Sequence, residues 1–273
     1  MNPIKIISCL FILCYHTVAL STPVSLKEKI GQMLIIGFEG NTVTEKSPIM
    51  KAIQQQQIGG VILFDYNAKT KQFDKNIGSP AQVRELNNTL QTANTDAQAQ
   101  HHRQPLPLLI SVDYEGGRVN RLKEEHGFPA TYSAKTLGKM PLYQVFSIAQ
   151  TMAETLKSNN FNLDFAPVLD VEVNPNNPVI AQLERSFSAD PILVTKNAEA
   201  FSKAFSSKKI ACAYKHFPGH GSSSSDSHQG FVDVSDSWSE QELLPYQELI
   251  NQPDHCGLIM TAHIVNRNLD PSG

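Results

Sequence analysis

Six short apolar runs, each followed by a stretch of helical pattern, constrain the fold of this chain more than any other feature. The runs are rich in β-branched residues and are bounded by turn residues, as expected for strands buried on both faces of a parallel sheet. They occupy residues 32–38, 60–64, 106–113, 161–168, 210–216 and 257–263. This alternation predicts a single α/β domain built on a parallel sheet.

Helical patterns fill most of the intervals between these runs, at residues 48–57, 80–99, 142–159, 191–208 and 239–252. Ser79 precedes Pro80 and Asp190 precedes Pro191, which is the usual order of an N-cap residue followed by proline in the first helical turn. The stretches 66–78 and 172–185 lack either period and are interpreted as loops.

The strand count leaves two architectures open. An open doubly wound sheet can stop at six strands, whereas a closed (β/α)8 TIM-type barrel needs eight. Polar residues stand directly after several predicted strands, and a barrel would bring such residues together at one mouth. They are Asp113, Asp170, Lys215, His216 and His263. We therefore predict a TIM-type barrel that is incomplete as given, with about six strands present.

The charge pattern narrows the class of ligand. The 273 residues carry a net charge of −3, and their lysines and arginines are scattered rather than clustered. This distribution gives no electrostatic footprint for a nucleic acid. A neutral or mildly charged small molecule is the expected partner. We also expect the protein to be a monomer and to use no cofactor.

The first residues have the pattern of an export signal. Lys5 precedes an apolar run at residues 6–13, and Ala19 and Ser21 place small residues at the positions that a signal peptidase reads. We predict a signal peptide at residues 1–21, with an uncleaved N-terminal anchor as the alternative. The protein would then be periplasmic or extracellular, without stable membrane insertion once the signal is removed.

Removal of that signal would leave two cysteines, Cys212 and Cys256. They could form a disulfide in an oxidising compartment. Free cysteines are often buried as small apolar residues, and this is the favoured interpretation.

Residues 215–228, K-H-F-P-G-H-G-S-S-S-S-D-S-H, form the segment richest in reactive side chains. Its proline and glycines prevent it from continuing the preceding strand, so it is predicted to be a loop at the site face. In an extended segment Asp226 and His228 would lie on the same side, and the carboxylate could accept a proton from the imidazole and orient it. A histidine oriented in this way can act as an acid and then as a base near neutral pH. A solvated histidine in a polar loop is the alternative.

The same histidines raise the question of a metal site. His216, His220, His228 and Asp226 are all potential ligands. The spacing matches no H-E-x-x-H helix motif, and Lys215 would place a cation beside the metal. We therefore expect no metal.

Two further stretches carry residues suited to binding a sugar. In V-D-Y-E-G-G-R-V-N-R, Asp113 ends a predicted strand and could accept hydrogen bonds from hydroxyl groups, while Arg121 could donate them. In E-R-S-F, Arg185 is a further donor.

Together these three stretches resemble glycoside hydrolase family 3, and within it the β-N-acetylglucosaminidase (β-hexosaminidase) branch. The resemblance covers residues 25–273 as the N-terminal barrel domain of that family, without its last strands. It implies exo-acting, retaining hydrolysis of terminal β-linked N-acetylglucosamine from peptidoglycan fragments or chitin oligosaccharides.

The resemblance also implies roles for individual residues. His228 would be the general acid/base and Asp226 its partner, with His263 in the same mouth. The N-acetylglucosamine would be held by Asp113, Arg121, Arg185, Lys215 and His216.

One part of the family pattern is not found in this chain. The nucleophile is expected in an I-S-D-D-like segment after the seventh strand, and the sequence ends with Asp270-Pro271-Ser272-Gly273 without such a segment. The chain is therefore expected to be a fragment that is inactive by itself. Three functions stay open: the hydrolase, a catalytically inactive sugar-binding remnant, and a metal-dependent hydrolase, which would lose its activity in EDTA.

Overall fold

The computed structural model of the chain describes residues 24–271. The predicted signal peptide at residues 1–21 lies outside these residues. None of the helices within 24–271 combines the length and the apolarity that crossing a membrane requires.

The predicted parallel sheet of six strands is confirmed. Its strands are β1 (Ile35–Gly37), β2 (Gly60–Ile62), β3 (Leu109–Val112), β6 (Leu163–Asp164), β7 (Ala211–Phe217) and β8 (Leu258–Thr261). Between β3 and β6 in the chain, β4 (Tyr114–Gly116) and β5 (Val119–Asn120) form a separate antiparallel hairpin. The spatial order of the sheet is β1-β2-β3-β6-β7-β8, and every neighbouring pair is parallel, for example through Ile36 opposite Val61 and Tyr214 opposite Ile259.

This order follows the chain without a reversal. A doubly wound sheet reverses its strand order at a switch point, whereas successive strands of a barrel lie side by side. The sheet therefore has the arrangement of a barrel, and within residues 24–271 its two edges, β1 and β8, have no further strand beside them. This confirms the prediction of an incomplete TIM-type barrel.

The predicted helices are present, with two differences. The α-helices are α1 (Leu26–Gln32), α2 (Pro48–Lys51), α3 (Pro80–Gln100), α4 (Ala134–Leu137), α5 (Leu142–Ser158), α6 (Pro191–Lys208) and α7 (Leu244–Leu249). The segment predicted at 48–57 is α2 followed by a π-helical turn, Ala52–Gln56, and the segment predicted at 239–252 begins as a 3-10 turn, Glu240–Leu243. Pro245 explains the second difference, because it lacks the N–H that would extend an α-helical ladder backwards.

Helix α1 was not predicted, and it shortens the first strand. Ser25 and Glu28 form a capping box, in which the Ser25 hydroxyl accepts from the Glu28 N–H at 3.3 Å and the Glu28 carboxylate accepts from the Ser25 N–H at 2.6 Å. The S-x-x-E spacing was visible in the sequence. Helix α1 takes up Gln32, so that strand β1 covers only part of the run at 32–38.

A disulfide joins Cys212 and Cys256, with their Cα atoms 4.8 Å apart. This corrects the interpretation of the two cysteines as separate buried thiols. Strands β7 and β8 are paired from Ala213 and Leu258, so the residues that precede this pair start side by side at the amino-terminal ends of the strands. That spacing is within the range that a disulfide can bridge.

Candidate active site

A cavity of about 400 Å³ lies at the carboxyl ends of the parallel strands. It is lined by side chains that follow β3, β7 and β8, together with the loop that precedes α6. All of the sequence-predicted site residues border it: Asp113, Arg121, Arg185, Lys215, His216, Asp226 and His228, and His263 borders it as well.

Lys215 is a buried cation that lines this cavity. Together with Asp113, Glu115 and Arg185 it forms what we call the cavity floor. The Lys215 side chain is 2% exposed, and its Nζ lies 2.9 Å from Asp113 Oδ1 and 2.7 Å from Glu115 Oε1. Burial acts to lower the pKa of Lys215, but these two carboxylates raise it above its ordinary value. The ammonium group is therefore held in its charged form.

Glu115 joins Lys215 to Arg185. Arg185 donates from Nε to Glu115 Oε2 at 2.8 Å and from Nη2 to Glu115 Oε1 at 2.7 Å, which is the bidentate geometry of a strong pair. Burial would raise the pKa of Glu115, but the two neighbouring cations hold it well below its usual range.

Glu115 was not among the residues predicted from the sequence, although the sequence carries a signal for it. Asp113 and Glu115 are two residues apart, at the start of the short hairpin formed by β4 (Tyr114–Gly116) and β5 (Val119–Asn120). In extended backbone such residues project to the same side, so both reach Lys215. Gly117 turns the hairpin at φ +60°, and a Cβ there would come within 2.7 Å of Ser133.

His216 is held in one orientation from both ring nitrogens. Its Nδ1 lies 2.6 Å from Asp170 Oδ2, and its Nε2 lies 3.1 Å from Arg185 Nη2. Arginine can only donate, so Nε2 accepts and Nδ1 carries the proton. Burial lowers the pKa of His216, in agreement with a neutral ring. Asp170 was recognised as a polar residue after a strand but was not among the predicted site residues.

Arg121 lines the cavity from the hairpin and is the least enclosed of the predicted sugar-binding cations. Its side chain is 31% exposed, and Nη1 lies 3.7 Å from Asp65 Oδ1. Its backbone N–H donates to the carbonyl of Asp113 at 3.1 Å, which ties the two predicted sugar-binding residues to each other.

Asp226 and His228 are in contact, as predicted, but the backbone between them is a turn and not an extended segment. Asp226 Oδ1 accepts from the backbone N–H of His228 at 2.9 Å and lies 2.7 Å from its Nδ1. A short polar side chain that accepts from the N–H two residues on forms a turn of this kind, which explains the difference. Burial acts to raise the pKa of Asp226, but the hydrogen bonds from His228 lower it.

The His228 ring stands at the rim of the cavity. Its side chain is 74% exposed, although it borders the same cavity as Asp113 and Lys215. The structure therefore places the Asp226–His228 pair at the mouth but leaves most of the imidazole in contact with solvent.

Within residues 24–271, no group of three or more histidine, cysteine, aspartate or glutamate side chains is arranged to hold a metal ion. His220, which the metal hypothesis included, hydrogen-bonds to Ser223 and Ser227 instead.

Comparisons with known proteins agree with the resemblance. The family model described as "Glycosyl hydrolase family 3 N terminal domain" matches residues 25–272. Beta-hexosaminidase A of Pseudoalteromonas piscicida is 36% identical over 96% of this chain and 44% of its own length. Beta-hexosaminidase LpqI of Mycobacterium tuberculosis is 29% identical over 88% of this chain and 55% of its own length. The chain thus spans about half the length of these curated relatives.

Two solved structures show the same fold. A family 3 beta-N-acetylglucosaminidase from a Paenibacillus species superimposes with a TM-score of 0.78 at 31% identity, over 91% of this chain and 44% of that one. NagZ from Neisseria gonorrhoeae, in complex with N-trifluoroacetyl-D-glucosamine, gives a TM-score of 0.71 at 27% identity, over 87% of this chain and 65% of that one.

Proposed function

This chain belongs to glycosyl hydrolase family 3, and on that premise we propose that its cavity is the sugar-binding and acid/base part of a β-N-acetylhexosaminidase active site. The reaction is exo-acting, retaining hydrolysis of terminal β-linked N-acetylglucosamine from peptidoglycan fragments or chitin oligosaccharides. The observation that carries this proposal is the meeting of the Lys215 ion-pair network and the Asp226–His228 pair at one cavity.

The sugar is held by the charged groups of the floor. Asp113 is fixed by Lys215, yet its side chain remains 18% exposed and can accept hydrogen bonds from sugar hydroxyls. Arg121, Arg185 and His216 surround the same cavity. Because Arg185 and His216 are already held by Glu115 and Asp170, little conformational freedom is lost when a sugar binds.

His228 supplies the acid/base function in this proposal. The Asp226 carboxylate accepts a hydrogen bond from the Nδ1–H group, which leaves Nε2 as the atom that exchanges a proton with the substrate. In its protonated form the ring donates from Nε2 to the glycosidic oxygen, and in the second step it accepts a proton from the attacking water. The exposure of the ring is consistent with proton exchange with solvent.

The names of the relatives support the substrate class. The matched proteins include beta-hexosaminidases, a beta-N-acetylglucosaminidase and a NagZ bound to an N-acylated glucosamine. We propose the same sugar for this chain, and we propose export for its location. The Cys212–Cys256 disulfide supports export, because disulfides persist mainly in oxidising compartments.

A second candidate function is sugar binding without turnover. It is favoured because the carboxylates that line the cavity already have ionic or hydrogen-bond partners. A retaining enzyme usually needs a second carboxyl group as nucleophile. The carboxylates that line the cavity within residues 24–271 are Asp113, Glu115 and Asp226, and each is engaged by Lys215, Arg185 or His228. We therefore propose that the 273-residue chain by itself binds N-acetylglucosamine but does not hydrolyse its glycosides.

Hydrolysis of a nitrophenyl N-acetyl-β-glucosaminide tests both candidates. The 273-residue chain is expected to be inactive, whereas residues 24–271 joined to the remaining part of the Pseudoalteromonas relative are expected to be active. In that joined protein, His228→Ala should lower kcat by about 100- to 10,000-fold. A kcat of the His228→Ala variant within about tenfold of the unsubstituted joined protein would overturn the acid/base assignment, and hydrolysis by the 273-residue chain would overturn the binding-only candidate.

A further inference from the structure

The loop that follows strand β7 has two parts with different surroundings. The loop stem, residues 218–223, is largely buried, with His220 3% exposed and Ser223 fully buried. The loop tip, residues 224–231, is largely exposed and carries Asp226 and His228.

The loop stem is fastened by side chains from three other parts of the chain. Asn177 Nδ2 donates to the His220 carbonyl at 2.7 Å and to Ser223 Oγ at 3.0 Å. Asp170 Oδ1 accepts from the His220 N–H at 2.8 Å, and Glu242 Oε2 accepts from the Gly221 N–H at 3.0 Å. The stem is therefore a fixed support.

The loop tip is connected to this support by few contacts. Among the described residues, two hydrogen bonds from side chains join the tip to the stem. Ser223 Oγ donates to the Ser225 carbonyl at a long 3.3 Å, and His220 Nε2 lies 2.9 Å from Ser227 Oγ. The second is the shorter of the two, and its imidazole is also held at Nδ1, 2.7 Å from Ser223 Oγ.

We propose that His220 is a positioning residue. Its buried imidazole, held by Ser223, forms a hydrogen bond with Ser227, here called the latch, and thereby fixes the positions of Asp226 and His228 at the cavity. Ser227 lies between these two residues in the chain, so fixing its hydroxyl fixes the turn that pairs them. The effect of His220 on catalysis rests on the proposed function. The hydrogen bond to Ser227 and its effect on the position of the loop tip do not depend on it.

The energetics favour a latch that can open. A neutral hydrogen bond contributes modestly to stability, and losing one changes a local equilibrium by about two- to tenfold. The tip is otherwise exposed, so such a change is enough to shift the fraction of molecules in which His228 is in place. A loop tip with more hydrogen bonds would be held in one conformation, and a tip without the latch would sample many conformations.

The test is amide hydrogen exchange in the loop, measured on the 273-residue chain. Ser227→Ala should raise the exchange rates of tip amides by about two- to tenfold and leave the stem amides unchanged. Ser227→Thr, which keeps the hydroxyl, should restore slow exchange. Ser224→Ala is the matched control, because it removes an exposed hydroxyl from the same tip.

Two substitutions of His220 test the contributions of its two ring nitrogens separately. His220→Asn keeps a polar nitrogen near the Nδ1 position and should behave like Ser227→Ala. His220→Gln reaches towards the Nε2 position and should retain slower exchange of the tip. If Ser227→Ala exchanges like the unsubstituted chain, or if Ser224→Ala speeds exchange equally, the latch is refuted.

A kinetic readout separates positioning from mere loop stability. In the joined protein described above, Ser227→Ala should lower kcat by about two- to tenfold with KM unchanged, because the sugar contacts on the cavity floor remain. An unchanged kcat beside faster tip exchange would refute the positioning role. An unsubstituted protein that neither binds nor hydrolyses the sugar would refute the proposed function instead, whatever the exchange result.

Discussion

At the scale of single residues, the floor of the cavity depends on a balance of buried charges. Lys215 faces Asp113 and Glu115, and Glu115 also faces Arg185. Removal of one of these residues leaves the charges of its partners buried without an opposite charge. This lowers the free energy of unfolding more than the loss of an exposed ion pair does.

Lys215→Met is therefore expected to lower the free energy of unfolding by about 3–5 kcal/mol. Urea denaturation at neutral pH measures this. Lys69→Met is the control, since the Lys69 side chain is 80% exposed and pairs with Glu39 at 3.5 Å, and its loss should cost less than about 1 kcal/mol. Equal effects of the two substitutions would contradict the structural role of Lys215.

The tautomer of His228 is a second prediction at this scale. Contact with the Asp226 carboxylate places the proton of the neutral ring on Nδ1. Asp226→Ala removes this acceptor, and the ring should shift towards the Nε2–H form. The nitrogen chemical shifts of the imidazole measured by NMR report the tautomer directly, and an Nε2–H ring in the unsubstituted chain would be inconsistent with the pairing.

Motifs identified residues whose chemistry is evident from local sequence, and missed residues that gain a role through distant contacts. Lys215 and His216 stand out within one short sequence motif. Asp170 gains its role only because the β-bridge between Val168 and Lys215 brings the segment after Val168 beside the end of β7, where Asp170 contacts His216. The turn at Asp226 was missed for a different reason. Two-residue spacing predicts a shared side for extended backbone and cannot by itself distinguish it from a turn.

At the scale of elements, the disulfide fixes two neighbouring strands at their starts. Cys212 and Cys256 are separated by 44 residues, and closing a loop of that length stabilises the fold by about 4 kcal/mol in the chain-entropy description. The Cys212→Ala, Cys256→Ala double variant should lose about this much in urea denaturation. Reduction of the unsubstituted chain should reproduce the loss, and a loss below about 1 kcal/mol would contradict this prediction.

The contact between the 3-10 turn Glu240–Leu243 and the loop stem should depend on pH. Burial raises the pKa of Glu242 to about 7, and its side chain accepts from the Gly221 and Ser222 N–H groups. Between the ordinary pKa of a glutamate and 7, the folded chain keeps a proton that the unfolded chain releases, so stability falls as the pH rises through this window.

The size of this effect is up to about 3 kcal/mol between pH 4.5 and pH 7.5. Glu242→Gln cannot titrate, so the difference in unfolding free energy between the unsubstituted chain and this variant should shrink or reverse as the pH rises. Urea denaturation at several pH values measures it. A difference that stays constant across this window would contradict the raised pKa of Glu242.

The sequence was more informative about strands than about irregular helices. Apolar runs located all six strands of the sheet. An inner strand that is covered on both faces must be apolar throughout, and the outer strands β1 and β8 are also apolar although they are only partly buried. The bounds of α6 (Pro191–Lys208) were predicted to the residue, since Asp190 and Pro191 mark its start. The π-helical turn after α2 left no such mark, because its extra residue per turn hardly changes the apolar pattern.

At the scale of the whole molecule, the sheet gathers residues that are distant in sequence at one end. Asp113, Arg185 and Lys215 are contributed by three separate segments and meet because parallel strands present their carboxyl ends together. The disulfide lies at the opposite ends of two of these strands. One end of the molecule is thus stabilised covalently, and the other carries the candidate active site.

Within residues 24–271, both outer strands of the sheet have a free edge, and such edges invite pairing with other chains. The sequence predicted the barrel arrangement from polar residues at the strand ends. It did not predict how far the His228 ring would project into solvent, because exposure depends on the tertiary position of the whole loop.

The proposed sugar-binding site is tested most directly by a calorimetric titration of N-acetylglucosamine into the 273-residue chain. We expect saturable binding at one site, weakened at least tenfold by Asp113→Asn or Arg121→Ala and unchanged by Tyr143→Ala, which alters an exposed residue on α5. Absence of saturable binding in a folded chain, or binding that these two cavity substitutions leave unchanged, would contradict it.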